Sequence, residues 1–142
     1  MWSGGVPVDD RIDYLTVPEI IEAHAQTMES MGSAPAPLRS LDLLESAVMK
    51  PQSAAYYSGA DLAEQAALLA VGISQNQPFL DGNKRTAYVA MKVFLDINGF
   101  RIDARGQDIA ERLVAVAERE RSLEEATQQF AAWLREHTSP HG

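Results

Sequence analysis

Between Gln77 and Ala87 the chain reads QPFLDGNKRTA, which packs Asp81, Asn83, Lys84 and Arg85 around a glycine, Gly82. The first turn of a helix exposes unpaired N–H groups and carries partial positive charge, so cations there are slightly unfavourable and anions favourable. Lys84 and Arg85 at such a start are explained by a phosphate held among them on the main-chain N–H groups of Gly82, Asn83 and Lys84. Gly82 lets the backbone turn sharply and approach a ligand closely. Asp81 supplies a hard carboxylate of the kind that holds Mg²⁺ together with substrate phosphates, and Asn83 a neutral donor. On these residues alone a second reading stands beside the first: Asp81 or Asn83 caps the helix, Gly82 turns the chain, and Lys84 and Arg85 face solvent. The string is not a Walker A loop, since it lacks the Gly-Lys pair that GxxxxGK[ST] requires.

Other chemistries have little to work with. No cysteine is present, which removes disulfides, thiolate metal sites and cysteine nucleophiles. Of the three histidines, His24 is far in sequence from His137 and His141, which sit in a polar C-terminal stretch, and a histidine-rich metal site is not expected. With 20 acidic against 12 basic residues the net charge is −8, which disfavours a broad nucleic-acid surface but leaves room for a basic spot on one phosphorylated small molecule. Hydrophobic residues make up 46% of the chain without a long apolar run. No basic start followed by an apolar stretch opens it, and a cytoplasmic protein without membrane contact is the expectation.

The elements around the loop read as helices. Thr16 and Glu19 form a capping-box pattern, Pro18 sits in the first turn, and Ile20, Ile21, His24, Met28 and Met31 share a face up to Gly32. After SAPAPLR, Leu41, Leu44 and Val48 mark a short helix that Pro51 is expected to end. PQSAAYYSGA has no helical period and reads as a loop or a small β-hairpin, or as a connector whose tyrosines cover the core. Asp61 and Glu64 open a helix, from Leu62 to Ile73, that is apolar nearly all round and therefore central. A second, from about Asn83 to Asn98, pairs with it as a buried hairpin with the loop at its tip. The extended FRIDA follows, then a helix carrying Ile109, Leu113, Val116 and Ala117. The last helix is capped by Ser122 and Glu125 and carries Ala126, Phe130, Trp133 and Leu134. At 142 residues this is one domain: a flexible leader over 1–13, the helical domain over 14–137 and a tail over 138–142.

QPFLDGNKRTA resembles the active-site motif of the Fic/Doc superfamily, His-x-Phe-x-Asp/Glu/Ala-Gly-Asn followed by Lys or Gly and then Arg. Residues 78 to 85 match, and Gln77 stands where the family has histidine. The resemblance continues through FLDINGF, PLRSLDLLESAVMKP and DLAEQAALLA, over about residues 14 to 103. Lys84 is similar to the death-on-curing branch; adenylyl-transferring relatives have glycine there and a second arginine where this chain has Tyr88.

The resemblance implies an all-α, single-domain helical bundle with a small β-hairpin flap, PQSAAYYSGA, that pairs with a target segment. It implies a toxin of a toxin–antitoxin pair that transfers a phosphoryl group from ATP or another nucleoside triphosphate to a protein hydroxyl, the branch being associated with a translation elongation factor. Asp81 would hold Mg²⁺; Gly82, Asn83, Lys84 and Arg85 would bind the phosphates, Lys84 and Arg85 neutralising the transferring group; Phe79 would anchor the loop. Gln77, at the position of the catalytic histidine, has no titratable nitrogen, and loss of a positioned general base costs roughly 10²- to 10⁴-fold. The expectation is thus a weakened or inactive transferase, with a Fic-fold binding protein or a nucleotidyl (AMP) transferase as alternatives. The family's self-inhibiting motif, Ser/Thr-x-x-x-Glu-Gly/Asn, is not found in the sequence, so a separate antitoxin chain is the expected regulator. His24 reads as a satisfied core histidine rather than a catalytic one, and Arg39 as a structural ion-pair residue rather than a phosphate contact.

Overall fold

The computed structural model describes residues 11–141. Most of the expected leader, and Gly142 of the expected tail, lie outside the described residues. Six helices follow in order: α1 (Val17–Ser30), α2 (Leu41–Ser58), α3 (Leu62–Asn76), α4 (Asn83–Ile97), α5 (Gly106–Ala117) and α6 (Leu123–Glu136). Two short strands, β1 (Phe100–Ile102) and β2 (Thr138–Pro140), pair antiparallel with Phe100 opposite Pro140. The fold is all-α with one small antiparallel sheet.

The helix starts are chemically specified. Thr16 and Glu19 complete the capping box of α1, Asp61 accepts from the Glu64 N–H at the start of α3, and Ser122 accepts from the Glu125 N–H at the start of α6. Asp61 also takes a two-pronged ion pair from Arg135, which ties α6 to the first turn of α3. The apolar periodicity of α3 has the expected consequence: Ala63, Ala66, Ala67, Leu69, Ala70 and Ile73 are all buried, with α2, α4, α5 and α6 packed around them. Alternating alanines keep that helix narrow. At Gly72 even one added carbon would lie 3.0 Å from the Ala47 Cβ of α2, so the two helices meet there at backbone distance.

The PQSAAYYSGA expectation is corrected. Pro51 lies inside α2, and residues 51–58 are helical up to a left-handed Gly59 that closes the end, its N–H donating to the Ala55 carbonyl. A proline inside a helix costs about 3 kcal/mol, since one N–H is missing and the ring crowds the preceding turn. Burial of Pro51 and the close Ala47–Gly72 contact offset that cost. The apolar period is missing from 52–58 because that part of the helix protrudes. Tyr56 and Tyr57 are 79% and 81% exposed, stack edge to face on each other, and cover no core.

The sheet lies at another place. FRIDA, extended as expected, pairs with residues 138–140, which were read as tail; Asp103 N–H donates to the His137 carbonyl and the Ser139 hydroxyl to the Asp103 carboxylate. The last residue of the expected leader joins the body, since Asp13 and Asn98 exchange hydrogen bonds; beside it the Tyr14 hydroxyl donates to Gln65. Among the described residues, no helix is long and apolar enough to cross a membrane.

Candidate functional site

The loop 77–82 caps the hairpin of α3 and α4, and each part of it is fastened from below. Phe79 is 2% exposed and lies face to face on the His24 ring, centroids 3.7 Å apart and planes within 3°. His24, itself buried in α1, donates from Nε2 to the Asp81 carbonyl at 2.9 Å. It is the satisfied core histidine that its place on the apolar face suggested, and its partner is the main chain of the loop. Gly82 follows with φ 80°, and a Cβ added to it would lie 2.6 Å from Met28 Sδ and 3.5 Å from His24 Nε2. The loop therefore rests directly on α1, and only glycine satisfies both the left-handed turn and the contact.

Asn83 closes the turn from within. Its Oδ1 accepts the Phe79 N–H at 3.0 Å and its Nδ2 donates to the Phe79 carbonyl at 2.8 Å. This amide fixes the shape of the loop, a role that sequence reasoning did not separate from direct phosphate contact. Asp81 is exposed, and one of its oxygens, Oδ1, accepts the Gly82 N–H at 2.8 Å.

Two outer contacts complete the frame. Leu38 forms an isolated antiparallel bridge with Phe79, and the Leu80 N–H donates to the Pro37 carbonyl. The segment paired with the loop is thus the α1–α2 connection. Arg39 donates to the carbonyls of Asn76 and Gln77, both at 2.7 Å: its role is structural, but through main-chain carbonyls and not through the expected ion pair, none being formed among the described residues. Neither Met28 nor Pro37 was singled out in the sequence. Met28 carried only its place on the apolar face of α1, and Pro37 only its place in a proline-broken connection.

Electrostatically the tip is unusual. Gly82 has no side chain with which to cap α4, and its first turn holds no acidic residue. The Thr86 N–H donates to the Gly82 carbonyl, while the N–H groups of Asn83, Lys84 and Arg85 have no acceptor among the described residues. Lys84 and Arg85 project from that same turn, exposed and without a carboxylate partner among the described residues. Three orphan donors, a helix dipole and two cations thus gather at one place.

Beside them is a cavity of about 360 Å³ between α4 and α5, lined by Lys84, Arg85, Tyr88, Gln107, Leu113 and Val114 among others. A larger groove of about 650 Å³ lies between α2, α3 and the start of α6, with Lys50, Tyr57, Gly72 and Thr127 in its walls. None of Gln77, Asp81, Gly82, Lys84 or Arg85 lines that groove. Of these residues Lys84 and Arg85 line the smaller cavity, while Gln77, Asp81 and Gly82 line neither.

Gln77 sits at the edge of this arrangement as the C-cap of α3, exposed, with φ 50° and ψ 59°. It is the one non-glycine residue with positive φ among the described residues. A residue without special tolerance for that conformation pays about 1–2 kcal/mol to hold it. Such strain gathers where the direction of a side chain matters.

Comparison with known proteins agrees with this architecture. A 71-residue stretch is 41% identical to the toxin Doc of Mycolicibacterium smegmatis (strain ATCC 700084 / mc(2)155), covering 47% of this chain and 53% of that protein. The chain thus spans about half the length of the curated relative it matches. The model of the Fic/DOC family matches residues 14–95, more than half of the chain, including α3, the loop and α4 up to Leu95. By that match, the chain belongs to the Fic/DOC family.

Proposed function

We propose that this chain is a death-on-curing-like toxin scaffold that binds a nucleoside triphosphate at the tip of α4 and transfers its terminal phosphoryl group to a protein hydroxyl, at a rate strongly reduced by Gln77. The observation that carries the proposal is the convergence of three N–H groups with Lys84 and Arg85, all without a partner among the described residues. That set neutralises and orients phosphate oxygens, which is most of what phosphoryl transfer asks of a protein. The apolar flank of the adjoining cavity, Leu113 and Val114, suits the nucleoside.

Mg²⁺ fits the same site. Asp81 has one carboxylate oxygen on the Gly82 N–H and the other without a hydrogen bond among the described residues. Mg²⁺ is commonly held by one or two carboxylates plus substrate phosphates, without a cage of protein ligands. When bound it would neutralise phosphate charge.

In the transfer, the target hydroxyl oxygen forms a bond to the terminal phosphorus, the bond to the bridging oxygen breaks, and the nucleoside diphosphate leaves. With no base at position 77 the hydroxyl proton passes to solvent water, the slow route that reduces the rate. The Gln77 amide hydrogen-bonds a hydroxyl but does not take its proton near neutral pH. The target in this reading is a protein of the translation elongation factor class, as the resemblance to the death-on-curing branch implies, and the regulator is a separate antitoxin chain, in keeping with the toxin Doc that the chain resembles.

The test pairs binding with turnover. Calorimetry with ATP and Mg²⁺ should show saturable binding that is lost in the Lys84→Ala, Arg85→Ala variant. Induction of the Gln77→His variant, and not of the parent, should arrest bacterial growth and label a protein from γ-labelled ATP. No binding by the parent defeats the phosphate reading of the loop. Binding without growth arrest or labelling in either form points to a Fic-fold binding protein, and labelling from α-labelled ATP alone to nucleotidyl transfer.

A further inference from the structure

Arg39 is exposed in the connection between α1 and α2, yet its guanidinium is committed to main chain. Nε donates to the Gln77 carbonyl and Nη2 to the Asn76 carbonyl, each at 2.7 Å, while its own N–H donates to the Pro78 carbonyl at 2.6 Å. No carboxylate pairs with it among the described residues. The negative end of the α3 dipole attracts any cation. A flat fork across two successive carbonyls does more than attract, because it fixes the two peptide planes relative to each other.

Those planes flank the residue that is hardest to hold. Position 77 is left-handed at φ 50°, and the proline that follows biases its predecessor toward extended backbone. Intrinsic preference therefore works against the observed conformation from two sides. Such a conformation persists only when the surroundings over-determine it. The restraints are the Gln77 N–H bond to the Ile73 carbonyl, at 3.2 Å, and the grip of Arg39 on the Gln77 carbonyl.

We propose that Arg39 is the positioning residue for position 77: it holds that residue left-handed and so sets the direction in which its side chain leaves the backbone. The proposal rests on the transferase reading above, in which the group at position 77 meets the attacking hydroxyl. Arg39 touches no reacting atom and acts through the Asn76 and Gln77 carbonyls.

The experiment has a conformational arm and a kinetic arm. By NMR, residue 77 in the parent should give the strong intraresidue Hα–HN NOE of a positive φ. Arg39→Gln should lose it, and so should Arg39→Lys, which keeps the charge at the helix end and guards against a variant that fails to fold. In the Gln77→His background, Arg39→Gln should lower kcat about 10²-fold, the loss expected for a misplacement near 1 Å, with KM for Mg-ATP changed less than about twofold. Arg135→Gln, which breaks an ion pair remote from the loop, serves as the control: thermal stability falls while kcat holds.

Retention of the NOE in Arg39→Gln overturns the proposal, whatever the protein binds. Its loss with unchanged kcat overturns it as well. No transfer in any Gln77→His background overturns the transferase reading, while the NOE still decides whether Arg39 restrains residue 77.

Discussion

Gly82→Ala isolates the fit between the loop and α1. The φ of 80° places an alanine in the left-handed region, at a cost of about 1–2 kcal/mol. The added Cβ would stand 2.6 Å from Met28 Sδ, against about 3.5–4.0 Å for a relaxed contact. Met28 is buried, so its side chain must retreat by about 1 Å in a packed environment, for a further ~1–3 kcal/mol. Together these give a loss of about 2–5 kcal/mol, a large part of the stability of an ordinary domain. Urea unfolding should show a lower midpoint at constant slope. Met28→Ala, which alone costs about 2–5 kcal/mol, makes room for the new carbon, so the double variant should recover at least ~1 kcal/mol relative to the sum. A loss below about 0.5 kcal/mol, the size of an ordinary surface change, or strict additivity of the two changes would refute the argument that the loop sits on Met28.

Three further outcomes follow from the same frame. His24→Phe keeps a ring on Phe79 but removes the donor to the Asp81 carbonyl; it should cost about 1–2 kcal/mol and speed hydrogen exchange at the loop amides, and unchanged exchange would count against the role given to His24. Asn83→Ala removes both bonds to Phe79 and should cost about 1–3 kcal/mol by urea titration, with Asn83→Asp between it and the parent. The Ser139 hydroxyl, with Arg101 adding to it, holds the Asp103 carboxyl below its usual range. A pKa lowered on folding adds stability above the unfolded value, near 4, and loses it as pH falls toward the folded value. Acid titration of Asp103→Asn should therefore show a shallower loss below about pH 4 than the parent, and coincident curves would contradict the hydrogen bond.

The sequence carried the bundle because its signals were local. Thr16, Asp61 and Ser122 each announce a helix through a bond to a residue three places on, and the alanine-rich face of α3 could belong only to a central helix. It misled at Pro51, where a contact with another helix outweighed an intrinsic preference, and at 138–140, where a strand exists only because β1 supplies its partner. The loop was legible as chemistry, since Gly82, Lys84 and Arg85 fall in one turn. Its supports were not. His24, Met28 and Arg39 reach it from far along the chain, and nothing in their spacing tells which carbonyl or which glycine they meet.

The short sheet has a consequence for the order of folding. The α3–α4 hairpin joins residues that are near neighbours in the chain, whereas β1 and β2 join residues 100 and 140 and enclose both α5 and α6. Closing so wide a loop is entropically unfavourable until the helices within it have docked. The strand pair should therefore form late and open early, acting as a latch between the end of α4 and the end of α6. Partial unfolding would begin at the C-terminal end while the loop, clamped on α1, keeps its shape.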